Sequence, residues 1–259
     1  MMKKILILFL ILLVSFSQPC FSSIDFQNSD DSLTCGTATD ILMYNSAGST
    51  TAWIYMDSLG PSNLGRIISK QNGSNVGLSF AVNTCGGSGQ TLFFSVSGST
   101  GLSKIASALM NLNQWHHVAY TWDGTTNSSG VKLYIDGVEA SSYCSSANGA
   151  SLTDNSAGTI RIGNRGALDR GFDGRISEVK TYNRELSATE ILQSYHKLKR
   201  KLDHAPKAYW DLNELAHGET ADGKTFPDYT GNGHTCTGDD GAGNTGLIAD
   251  AEEILSYPD

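Results

Sequence analysis

The chain has little of what would mark a nucleic-acid binder, a zinc protein or a redox enzyme. Charged residues make up only 17% of its 259 residues, and 18 basic side chains face 26 acidic ones. No Lys/Arg-rich face strong enough for nucleic acid is apparent, and a polyanionic partner is disfavoured electrostatically. The five cysteines include no Cys-x-x-Cys pair, which removes the usual spacing of a zinc site or a dithiol centre. His116 and His117 are consecutive, so on a strand they point to opposite faces and cannot share one metal ion. No Ser/His/Asp or Cys/His arrangement is suggested by a local motif. Proline is scarce too, with five in the chain, whereas glycine is abundant at 28.

Residues 1–23 read as a secretory signal peptide. Lys3 and Lys4 open it, an apolar run from Ile5 to Phe16 follows, and small residues suited to cleavage come next. The run is too short to cross a bilayer comfortably. Removing this segment takes away Cys20 and both lysines, leaving 16 basic against 26 acidic residues, a formal charge of −10. It also leaves four cysteines, Cys35, Cys85, Cys144 and Cys236, whose even number in an exported chain reads as two disulfides with three possible connectivities. The expected location is secreted or at the cell surface, without stable membrane insertion.

Short apolar runs separated by Gly, Ser, Thr and Asn suggest a β sandwich or barrel. Strands are expected at 51–56, 65–70, 76–82, 92–96, 116–122, 131–135, 159–162 and 175–182. Turn signals divide them at Asn72-Gly73, Asp123-Gly124, Asp136-Gly137 and Asp173-Gly174. One helix is expected after the capping box Ser187-Ala188-Thr189-Glu190, with Ile191, Tyr195, Leu198 and Leu202 on one face. The cations Lys197, Lys199, Arg200 and Lys201 read as its solvated end.

Four segments in order resemble the laminin-G-like domains of the concanavalin A-like lectin/glucanase family. They are Trp53-Ile54-Tyr55, then Trp115-His116-His117-Val118-Ala119 running to Trp122-Asp123-Gly124, then Leu133-Tyr134-Ile135-Asp136-Gly137, and finally Phe172-Asp173-Gly174-Arg175-Ile176-Ser177-Glu178-Val179 running to Tyr182. The resemblance covers residues 24–195 and implies an all-β, two-sheet antiparallel jelly-roll sandwich with one short helix near the C-terminal side. Residues 24–204 are expected to form this domain. Residues 205–259 are a tail whose Ala208-Tyr209-Trp210-Asp211-Leu212-Asn213-Glu214 resembles the opening of such a domain; it is expected to complete the same sandwich, the alternative being the start of a second copy cut short. That placement implies Cys236 beside Cys35, hence the pairs Cys35–Cys236 and Cys85–Cys144.

Some jelly rolls of this shape are glucanases, which need paired carboxylates on one strand face. This chain has no Glu-x-Asp-x-x-Glu run, so no enzymatic activity is expected. The more distant likeness to pentraxins implies a rim site built from two loops, with Asn72 and Asn75 in one and Asn164, Arg165, Asp169 and Arg170 in the other. Calcium is the cofactor that likeness allows, on Asn75, Asn164 and Asp169, but one formal negative charge among them gives it a weak hold. Trp122, which shares a strand face with Tyr120, is either a stacking surface for a sugar ring or core. The function expected is a non-catalytic lectin-like module for a carbohydrate or glycoconjugate. The alternative is a structural or adhesive protein that contacts a cell-surface protein and assembles by strand addition through its tail.

Overall fold

The structure, a computed structural model, describes residues 23–42, 45–60, 63–72, 76–97, 101–149, 155–196, 206–241 and 246–250. In chain order the strands are β1 (Ser23–Phe26), β2 (Ser32–Thr34), β3 (Gly48–Met56), β4 (Arg66–Asn72), β5 (Val76–Cys85) and β6 (Ser88–Ser97). Next come β7 (Leu102–Ala106), β8 (Trp115–Trp122), β9 (Val131–Ile135), β10 (Val138–Glu139), β11 (Tyr143–Ala147), β12 (Thr159–Ile162) and β13 (Gly174–Tyr182). The helix α1 (Ala188–Tyr195) precedes β14 (Ala208–Trp210), β15 (Thr225–Phe226), β16 (Cys236–Asp239) and β17 (Leu247–Asp250).

These strands form two antiparallel sheets. The first runs β10-β9-β8-β3-β13-β1-β17, and the second runs β11-β7-β6-β5-β4-β12-β2-β16-β15. Period-two alternation sends Ala52, Ile54 and Met56 of β3 and Val118, Tyr120 and Trp122 of β8 toward Leu78, Phe80 and Val82 of β5 and Leu92, Phe94 and Val96 of β6. Aromatic rings lock the centre, with Tyr120 against Phe80 (5.2 Å) and Phe94 (4.5 Å). At the β9–β10 hairpin Asp136 and Gly137 both take positive φ, 50° and 78°, the backbone a tight two-residue turn demands.

The tail enters both sheets. Trp210 of β14 faces Val179 of β13, while Ile24 of β1 faces Ile176, so β1 and β14 lie end to end along one edge of β13. A bulge at Ser177–Lys180 separates the two halves, and Glu178 there has φ 48°. On its other edge β1 pairs with β17 of the tail, Ile24 facing Ala249. In the second sheet β16 pairs with β2, and Cys35 is joined to Cys236. The other disulfide joins Cys85 to Cys144. Ser23, the expected last residue of the leader, is the first residue of β1 and faces Asp250. The rest of the leader, the basic run 197–201, Leu198 and Leu202 lie outside the described residues. Among the described residues no helix is long and apolar enough to cross a membrane.

The outer face of the first sheet is covered where α1 packs on it. Tyr195 stacks on Trp53 at 5.8 Å, and Ile191 joins Ala119, Tyr134, Tyr182 and Leu186 in a small apolar cluster. Ser187 Oγ accepts from the Glu190 N–H and the Glu190 carboxylate accepts from the Ser187 N–H, closing the capping box. The Arg184 guanidinium grips the same carboxylate and holds its pKa down, to about 2.

Two expectations follow. Removing residues 205–259 takes away Trp210, Leu212, Phe226 and Leu247, all fully buried. At about 1.5 to 3 kcal/mol per large apolar side chain, the loss reaches the size of a typical total stability of about 5 to 15 kcal/mol. Residues 24–204 alone should be insoluble or oligomeric, and a monomer that melts cooperatively near the full-length temperature would refute this. For Glu190→Gln, the pKa depressed from 4.5 to about 2 means that the carboxylate stabilises fully above pH 5 and loses that effect as pH falls toward 2. The substitution should cost on the order of 1 kcal/mol at pH 7 and progressively less in thermal melts at lower pH.

Candidate functional site

The outer face of the second sheet carries a different set of residues. The inward positions of β5 and β6 are apolar, so the intervening Ser79, Ala81, Phe93 and Ser95 point away from the core. Strand register aligns them into rows. One row crosses seven strands as Thr237, Thr34, Arg161, Ser69, Ser79, Ser95 and Ser103. The neighbouring row is Arg66, Ala81, Phe93 and Ile105. Ser69, Ser79, Ala81 and Ser95 are buried although they face outward, because they are small and lie low between larger groups and loops. They make a covered floor beside Phe93, which stays partly exposed.

The segment from Asn164 to Arg170 flanks this floor, and the Asn164 side chain gives it shape. Its Nδ2 donates to the carbonyls of Ser29 (2.8 Å) and Asp31 (3.2 Å), and its Oδ1 accepts from the N–H groups of Arg165 (2.9 Å) and Arg170 (3.1 Å). Ser69 Oγ donates to the Asn164 carbonyl, and the Arg66 N–H donates to the Arg170 carbonyl. The loop is thereby fastened to the start of β4, and three arginines are gathered.

Their electrostatics are uneven. Arg165 holds Asp169 in a two-point ion pair at 2.6 and 2.8 Å, which pulls the Asp169 pKa below the usual carboxylate range. Arg66 has no such partner. It is 4% exposed, its Nε and Nη1 are buried without a hydrogen bond, and its guanidinium lies 5.9 Å from the Phe93 ring centre. Burial, reinforced by Arg165 and Arg170, pushes its pKa down to about 10, which leaves it charged at neutral pH. Arg170 Nε is also buried without a hydrogen bond.

A family model described as the concanavalin A-like lectin/glucanases superfamily matches residues 27–192. The chain belongs to this superfamily. The fold is similar to that of a solved structure described as a putative carbohydrate binding protein from Bacteroides ovatus, with TM-score 0.61 and 18% identity over 92% of this chain. This chain spans 61% of that structure's length. It is also similar to a heptameric pentraxin from Limulus polyphemus described as SAP-like, with TM-score 0.55 and 14% identity, covering 91% of this chain and 97% of the other. No curated protein sequence matches the chain.

Within this superfamily fold, the rim residues expected from sequence separate into groups. Arg165, Asp169 and Arg170 are brought together, joined by Arg66. Asn72 sits at the other end of β4 from Arg66, and Asn75 lies outside the described residues. Asn164 is fully buried with both side-chain atoms committed, and the Asp169 charge is matched by Arg165, so the pair gives calcium little to hold. Among the described residues no three His, Cys, Asp or Glu side chains are placed to hold a metal ion.

Trp122 also needs correction. It is fully buried, its indole N–H donates to the Thr125 carbonyl (2.8 Å), and its register partner Gly48 lies at the opposite end of β3 from Met56, which neighbours the loop strand β13 at Gly174. No ring face of it reaches a ligand. His116 and His117 do face opposite ways: His116 Nδ1 lies 2.7 Å from Asp136 Oδ2, whereas His117 packs beside Trp53 and Tyr195.

Sequence reasoning missed Arg66, Phe93 and the serine row. The alternation of Leu92, Phe93 and Phe94 contained a signal, since one of two adjacent rings must face outward. Asn164→Ala would strip four hydrogen bonds from a buried loop and should destabilise the protein by on the order of 3 kcal/mol. A denaturant titration showing less than about 0.5 kcal/mol would mean that the loop is held by other contacts.

Proposed function

We propose that this protein is a non-catalytic carbohydrate-binding module that lays a saccharide along the outer face of its second sheet. The observation that carries the reading is the pair of aligned rows, one of hydroxyl side chains with Arg161 among them and one that places Arg66 beside the partly exposed Phe93. Hydroxyls and guanidinium groups match the donors and acceptors of a sugar, and an aromatic ring supports its apolar face. The fold likeness to the putative carbohydrate binding protein supports the same reading. The two rows contain no carboxylate, so the opposed acids that glycoside hydrolysis needs are not supplied from them. Two disulfides suit work outside the cell, at a surface or in the medium.

The test is a glycan array followed by calorimetry on the hits. Saturable binding to a defined set of saccharides is expected, and Phe93→Ala should weaken it about five- to tenfold, the scale of one aromatic contact. An array without saturable hits, alongside specific capture of a cell-surface protein, would favour the adhesive reading instead. Hits whose affinity is untouched by Phe93→Ala would move the binding surface elsewhere.

A further inference from the structure

Arg66 is an anomaly in an acidic chain. A buried guanidinium is normally matched by a carboxylate, because an unpaired charge away from water is costly. Here 26 acidic residues are available, yet the acid that acts on this charge, Asp169, is already held by Arg165. Three of the chain's seven arginines, Arg66, Arg165 and Arg170, therefore share one carboxylate. Buried N–H groups on Arg66 and Arg170 remain without acceptors. Ser79 Oγ, two residues before Ala81 on the same face of β5, is a further buried polar atom without a partner.

We infer that the missing partner is supplied by the ligand: the module selects an acidic saccharide, whose sugar carboxylate is taken by Arg66 with Arg170 beside it while the ring lies against Phe93. The inference rests on the carbohydrate-binding reading above. A planar carboxylate suits the guanidinium fork, and each charge-assisted bond formed out of water is stronger than its neutral equivalent. The isolated anion of one sugar also fits the surroundings better than a long polyanion, which the acidic chain would repel. Asn164, by fixing the carbonyl of Arg170 against the Arg66 backbone through the loop, is a positioning residue for this pair.

Calorimetry on the disulfide-bonded protein tests this with matched probes: sialyllactose against lactose, and a glucuronyl-terminated disaccharide against its glucosyl counterpart. At least one acidic probe should bind ten times or more tighter than its neutral parent, and the stronger pair distinguishes a sialic from a uronic carboxylate. Arg66→Met and Arg170→Gln should each bring that ratio near one, the acidic probe losing at least about tenfold more affinity than its neutral parent. Without ligand, Arg66→Met should melt at or above the wild-type temperature, since it removes an unpaired buried charge. Equal wild-type affinity for acidic and neutral probes would overturn the inference and leave the carbohydrate reading standing. Failure of all four probes to bind, with an array also blank, would overturn both. Should Arg66→Met unfold and Arg170→Gln keep the acidic preference, Arg66 is structural and the inference falls.

Discussion

The architecture depends on satisfying one edge of β13. This strand is nine residues long, and each edge presents backbone N–H and C=O groups that must find partners when buried. One edge is met along its length by β3. The other is met by two short strands from distant parts of the chain, β1 near the amino terminus and β14 in the tail, set end to end across a bulge. Neither is long enough to cover the edge alone. The tail is therefore an integral part of the first sheet, and β17 then covers the far side of β1. In the second sheet the link between Cys35 and Cys236 fastens the same two chain regions again. Closing so long a loop restricts the unfolded chain by an amount worth about 5 kcal/mol in the chain-entropy account.

From that closure follows the division of labour between the two outer faces. The first sheet carries large side chains outward, Trp53, His117 and Tyr134, and covers them with α1. The second sheet carries small serine, threonine and alanine side chains outward between Arg66, Arg161 and Phe93, and the loop after β12 lies against them. A ligand surface needs a few fixed polar groups. The fixed groups come from one buried amide, Asn164, whose four hydrogen bonds tie the loop backbone to the Ser29–Asp31 turn and to Arg165 and Arg170. A loop so anchored loses little entropy when a ligand arrives, because its ordering cost is met in folding.

Much of the fold was legible from sequence because it is written in local periodicity. Alternation along Thr51–Met56 and His116–Trp122, the Asp136-Gly137 turn and the Ser187–Glu190 capping box each act within a few residues, and each appears in place. The tail's role was legible only in outline. Its opening strand lies further along β13 than β1, since which stretch of an edge a strand covers depends on the length of its neighbour.

The candidate site was less legible for a physical reason. Sequence could flag Arg165, Asp169 and Arg170 because they are close in the chain, but Arg66 joins them only through the register of β4 with β5 and the return of the loop after β12. Trp122 and Asn164 carried ligand-binding chemistry and were turned inward by burial, Trp122 to fill the core and Asn164 to satisfy backbone groups. By itself the sequence determined the strand periods, the turns, the helix cap and the sandwich class. Tertiary structure alone decided which outward residues stand in one row and which arginine lacks a counter-charge, because both depend on pairings between strands far apart in the chain.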